Sequence, residues 1–219
     1  MVRVLHCCAA FAILASCMAE TGRGAIVNLT PNFDATLRDD GFDGTFNSGG
    51  NGNFFNTIRR IDGVVNEVLF FEFDVSVVGD SEMVSSATLS LGVFGTPNDP
   101  GDIEILAYQA DGVLTFPDDG ARPSTLVATY DPISEGSGTI SISLDAATVD
   151  GFIKGGDFIG FRLQGAEDQA DTTIQGVVNV FDPGGPPTLT LDISAVPEPT
   201  SAVLLMGLVS VVACKRRRR

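Results

Sequence analysis

Val68-Leu69-Phe70-Phe71-Glu72-Phe73-Asp74-Val75 decides the fold. In an extended chain successive side chains point to opposite faces, so Leu69, Phe71, Phe73 and Val75 line one side. Val68, Phe70, Glu72 and Asp74 line the other. Both faces begin apolar and the second turns acidic. Aromatic and branched side chains on both sides describe a central strand covered on each face rather than a helix.

Other runs carry the period of two more plainly. Ala87, Leu89, Leu91 and Val93 alternate with Thr88, Ser90 and Gly92. Ile140, Ile142 and Leu144 alternate with Thr139, Ser141 and Ser143, and Leu189, Leu191 and Ile193 with Thr188, Thr190 and Asp192. One buried and one hydroxyl-bearing face is the pattern of half-buried antiparallel strands. Further strands are predicted at Ile103 to Tyr108, Leu126 to Tyr130, Phe158 to Leu163 and Val177 to Phe181, with Gly, Pro, Asn and Asp between them. Asp145 is a good helix N-cap, and Val149, Phe152 and Ile153 then share one side of a short helix ended by Gly155 and Gly156. The fold class expected is all-β, an antiparallel β-sandwich of jelly-roll character with one short helix.

The strand-rich segment runs from about Ile26 to Val196, the size of one domain with a real core. It contains no Cys, His or Trp: the cysteines are Cys7, Cys8, Cys17 and Cys214, and the one histidine is His6. That composition excludes a disulfide framework, Ser-His-Asp or Cys-His catalysis, and zinc held by His or Cys. Carboxylates remain. Glu67 and Glu72 are the acids a buried central strand would single out, yet no spacing sets a catalytic pair across a cleft. The chain is expected not to be an enzyme.

The segment holds 26 acids against Arg38, Arg59, Arg60, Arg122, Lys154 and Arg162, a formal charge of −20. Nucleic acid is excluded as a partner by that sign. The same surface keeps an exported protein soluble and repels other anions unless divalent cations intervene.

The two ends have a different character. Pro197 and Pro199 flank Glu198 and fix an extended, accessible stretch. An uncharged, mostly apolar run from Ser201 to Cys214 follows, then Lys215, Arg216, Arg217, Arg218 and Arg219. As a helix, Ala202 to Cys214 covers roughly 20 Å, less than the roughly 30 Å hydrocarbon core. Snorkelling basic side chains extend its reach, and their charge holds that end in the cytoplasm. Extended motif, short greasy helix and basic end in this order resemble the PEP-CTERM sorting signal of Gram-negative and related bacteria. The resemblance implies recognition of Pro197, Glu198 and Pro199 by an exosortase-like membrane protease. It also implies transient anchoring in the inner membrane, then delivery to the cell surface or extracellular matrix in organisms that make exopolysaccharide.

At the other end, Arg3 and the apolar stretch Val4 to Met18 have the form of a signal peptide for signal peptidase. Cleavage after Ala19 and cleavage near Gly24 and Ala25 both stay open. So does a lipoprotein box at Leu14-Ala15-Ser16-Cys17, with Cys17 lipidated. The expected organisation is a leader over residues 1–25, a sandwich over 26–195 and a sorting and anchor segment over 196–219.

A second resemblance covers nearly all of the middle. Asp34-Ala35-Thr36-Leu37-Arg38, the strand around Phe71, Ser86 to Leu91, Leu144 to Val149, Gly156 to Leu163 and Pro187 to Leu191 stand in the order found in DNRLRE-type domains. Phe152 stands where relatives often have Trp, and the name-giving motif is only partly present in Thr36 to Asp39. The resemblance implies a secreted β-sandwich with a structural or adhesive role in an exopolysaccharide matrix. The alternative is a carbohydrate-binding module, some of these domains being related to one.

Two ligand sites are conceivable. Carbohydrate sites usually combine a flat aromatic platform with polar groups, and Tyr108 and Tyr130 are the platform candidates. Calcium wants several oxygens from loops. Asp39, Asp40 and Asp43, read as one Gly/Asn-rich loop with Gly41 to Asn53, and Asp99 and Asp102, about a Pro-Gly turn, are the candidates there. Turn chemistry alone also explains Asp beside Gly and Pro. No other cofactor is expected.

Overall fold

The computed structural model of the chain describes residues 24–40, 48–51, 55–61, 64–93, 102–113, 122–131, 138–166, 171–178 and 186–195. Residues 1–23 of the expected leader, the sorting segment beyond Ala195, and Asp43 and Asp99 lie outside them.

The described residues form antiparallel strands and one helix. In chain order the strands are β1 (Ala25–Leu29), β2 (Phe33–Asp40), β3 (Ser48–Asn51), β4 (Phe55–Ile61), β5 (Val65–Asp74) and β6 (Glu82–Val93). They continue with β7 (Ile103–Gln109), β8 (Ser124–Tyr130), β9 (Gly138–Leu144), β10 (Phe158–Gly165), β11 (Asp171–Val178) and β12 (Thr188–Ala195), with helix α1 (Ala146–Ile153) between β9 and β10. Hydrogen bonding runs without a break through β1-β12-β6-β11-β4-β5-β10-β7-β8, so β11 and β4 join two layers into one folded sheet. β9 extends the first layer from the far edge of β6, and β2 with β3 extends the second from β5.

β5 is central, as its two apolar faces require. It pairs with β2 along one edge and with β10 and β4 along the other. Leu69, Phe71 and Phe73 point inward with Ile159, Phe161 and Leu163 of β10, against Leu89 and Leu91 of β6 and Leu189 and Leu191 of β12. The rings of Phe73 and Phe161 meet edge to face, centroids 5.9 Å apart. Each fully buried Phe contributes about 1.5–3 kcal/mol relative to exposure.

Helix α1 starts where Asp145 predicts. Its carboxylate accepts from the Ala147 N–H at 3.2 Å and from the Thr148 hydroxyl at 2.8 Å, satisfying an N–H that the first helical turn leaves without a partner. Val149 and Ile153 face the core. Asp150, beside Val149 on the helix, accepts from the Val84 N–H at 2.9 Å and from Lys154 Nζ at 2.6 Å, which ties the helix to the start of β6.

Four strands, β1 to β4, lie where no strand was predicted. β1 opens at Ala25, one residue before the expected domain boundary, and pairs with the last strand, Ala25 opposite Ile193. The stretch read as one irregular loop contains β3, paired with β2 from Ala35 to Arg38. β4 joins β5 to β11. Asp39 and Asp40 belong to β2 and not to a loop, because the strand continues to pair with Asn66 and Val65 after its apolar alternation has ended.

Candidate functional site

The second layer has an unusual outer face. Leu37 of β2, Val68 and Phe70 of β5, and Tyr108 and Ala110 at β7 form a small apolar cluster of their own, with Phe158 packed against it. Glu72 lies among these strands and is fully buried. Of the two acids on that face of the central strand, Glu72 therefore does not face water.

Register explains how that carboxylate is accommodated. Gly160 of β10 is opposite Glu72 on one side and opposite Tyr108 on the other. With no side chain at Gly160, the Tyr108 ring lies across the middle strand. A Cβ there would sit 2.1 Å from the ring's Cζ. The Tyr108 hydroxyl thereby reaches Glu72 Oε1 at 3.0 Å. The Gly112 N–H donates to Glu72 Oε2 at 2.9 Å. Gly112 has φ +78°, which side chains disfavour, and a Cβ there would press on the Phe158 ring at 2.8 Å. Both carboxylate oxygens are thus met by donors, as burial demands.

Arg122 covers this arrangement. Its guanidinium stands 5.9 Å from the Tyr108 ring centroid, while Nη1 donates to the Gln109 carbonyl at 2.9 Å and Nη2 to Asp111 Oδ2 at 2.7 Å. The Arg122 hydrogen bond, with help from the Val113 N–H, holds the Asp111 carboxyl below the usual carboxylate range. Chemically, the group is a clasp. One cation ties residues 109–111 to the start of β8, and one buried carboxyl group ties Gly112 to the centre of the sheet.

Glu67, the other glutamate of the central strand, is five positions from Glu72 and so points to the opposite face. It pairs with Arg38 at 3.4 Å. The two do not converge on a shared space.

The structure relocates the other predicted site residues. Tyr108 is 1% exposed and Tyr130 2%, so neither ring offers the open face that stacking on a sugar requires. Tyr130 is buried because it points from β8 into the main core beside Ile103, and Tyr108 because the outer face of the β7 layer is covered as well, which alternation alone does not reveal. Asp39 is buried on β2, 2% exposed. Asp102 precedes β7, and its carbonyl accepts from the Ala166 N–H at 2.9 Å. Asp39, Asp40 and Asp102 share the end of the folded sheet opposite Ala195. Among the described residues no three His, Cys, Asp or Glu side chains gather to hold a metal.

Sequence reasoning passed over Gly160, Gly112 and Arg122. Gly160 had a signal: a glycine inside a strand pattern marks a close approach by another group.

The last described strand ends where the sorting segment starts. Residues 195–219 match the PEP-CTERM protein-sorting motif, and Ala195 closes β12. The motif implies recognition by an exosortase-type processing system, with export and sorting to the surface or beyond. No curated protein matches the chain. Among the described residues no helix is long and apolar enough to cross a membrane; the apolar run 202–214 lies outside them.

Proposed function

We propose that this is a non-catalytic, exported sandwich of DNRLRE type and jelly-roll character, with a structural or adhesive role in an exopolysaccharide matrix. A leader over residues 1–25 is removed by signal peptidase, the 202–214 helix anchors the protein transiently in the inner membrane, and the exosortase-type enzyme cuts near Pro197, Glu198 and Pro199. The observation that carries this reading is the sorting motif placed directly against the last strand. The non-catalytic part is supported by Glu67 and Glu72 pointing to opposite faces of β5.

The test is intact-mass analysis of the protein recovered from the cell surface. The mature chain is expected to lack residues beyond Pro199. A surface pool that retains Arg219 overturns processing.

A polysaccharide-binding role is favoured by one further observation, the hydroxyl-rich face of the first layer, on which Asp192 is the one charged outward residue. It cannot rest on Tyr108 or Tyr130, which are buried.

A further inference from the structure

On the first layer, β9-β6-β12-β1, alternation puts Leu89, Leu191 and Ile142 into the core and turns the intervening residues outward. Those outward residues fall into register across the strands. One row runs Asn28, Thr190, Thr88, Ser143, each opposite the next. The adjacent row runs Thr188, Ser90, Ser141. Hydroxyls therefore repeat about 4.8 Å apart across strands and about 7 Å apart along them.

The rows are ordered by their own hydrogen bonds. Ser90 Oγ and Ser141 Oγ are 2.9 Å apart, and the Thr190 hydroxyl donates to Asn28 Oδ1 at 2.8 Å. Threonine at χ1 has restricted freedom, so this grid loses little entropy on meeting a partner. Asn28, Ser141 and Ser143 are exposed, and Thr88, Ser90 and Thr190 half-buried between their neighbours. At the end of this face nearest Ala195 stand Ile26, 70% exposed, and Met83, 46% exposed.

Charge decides what such a face can receive. The segment carries a formal −20, yet among the outward residues of these strands only Asp192 is charged. A polyanion is repelled by the molecule as a whole, and a cationic partner would find its counter-charges elsewhere. Nothing here offers the large buried aromatic or Arg anchor that protein interfaces depend on. Hydroxyls both donate and accept, so their natural complement is a surface that does the same without charge.

We propose that this face binds a long, neutral, hydroxyl-bearing polysaccharide laid across the strands, its ring C–H faces meeting Ile26 and Met83. The inference rests on the polysaccharide-binding reading and supplies its site. Each hydroxyl pair exchanges with water for small net gain, so attachment comes from many contacts engaged together. A polymer is held, and a free monosaccharide is not.

The test is co-sedimentation of the full chain, kept in mild detergent, with insoluble cellulose as the neutral probe and alginate gel as the acidic one. Binding to cellulose, not to alginate, and not displaced by free glucose is the expected result. The Thr88→Val and Thr190→Val double variant keeps shape and strand preference but removes two hydroxyls, and is expected to weaken binding about tenfold or more while the thermal midpoint stays at or above that of the parent. Ser124→Ala, on the other layer, is expected to bind as the parent does. Should the parent bind neither polymer, the polysaccharide-binding reading fails with the inference. Should the parent bind cellulose and the double variant bind it equally, the reading stands and this site is wrong. Stronger binding to alginate overturns the inference as well.

Discussion

Tyr108 and Glu72 lie on strands that are not neighbours, and their hydrogen bond of 3.0 Å passes over Gly160 between them. The contact exists because one position in three adjacent strands is empty. It converts an acid in an apolar sheet from a liability into a fixed point for the segment that follows β7.

Gly160→Ala should be among the more damaging conservative changes. Its methyl would lie 2.1 to 2.5 Å from Tyr108 ring carbons, and the buried ring has nowhere to swing. A loss of about 1–3 kcal/mol is expected, or roughly 2–4 °C of melting temperature per kcal/mol. Denaturant unfolding measures it. In a Tyr108→Ala background the same substitution should cost markedly less, since the atoms it strikes are gone.

Tyr108→Phe removes only the hydroxyl. Glu72 Oε1 then loses a donor inside a buried site, and stability is expected to fall by about 1–3 kcal/mol with the fold retained. Equal stability of the two proteins in urea would show that Glu72 draws nothing from this bond.

The Arg122 clasp should respond to acid. Asp111 titrates below the usual carboxylate range because Arg122 and the Val113 N–H stabilise its charged form. Its folded value is depressed, so the stability it contributes is present above the unfolded value of about 3.9 and is lost as pH falls through the folded one. The side chain is 57% exposed, so the contribution is small and screened by salt. Comparing unfolding midpoints of the parent and Asp111→Asn should show a difference at neutral pH and low salt that shrinks below about pH 4.

Asp145→Ala leaves the Ala147 N–H and the Thr148 hydroxyl without their acceptor. A cost of about 0.5–2 kcal/mol is expected. Because α1 also binds the start of β6 through Asp150, hydrogen exchange should rise at Val84 as well as in the first turn.

Alternation made β6, β9 and β12 readable, since each has one face in the core and the other among hydroxyls. Asp145 and Val149 made α1 readable for the same reason, a local signal with a local cause. β3 had no such signal: Ser48, Gly49, Gly50 and Asn51 carry no apolar side chain and form a strand only because β2 offers an edge. Asp39 resembled loop chemistry, and its burial depends on what lies over the outer face of β2. Tyr108 looked like a surface aromatic because burial on a second face is set by elements distant in the chain, and Tyr130 because alternation does not say which face of β8 meets the core. Of the candidate sites, the sorting motif was legible in full, being a linear signal meant to be read in an extended chain. The Glu72 clasp was legible only as an odd acid in a greasy strand; its partners come from β7, β10 and the approach to β8.

The pairing of the first strand with the last has a mechanical meaning. β12 runs straight into the tail, and it is bonded along one edge to β6 and along the other to β1. A pull on the tail draws β12 lengthwise between two neighbours, so many hydrogen bonds are strained together. Had β1 been absent, β12 would be an outermost strand with only one line of bonds to give way. The five residues of β1 thus make the last strand, far off in sequence, a sound point from which to hang a load.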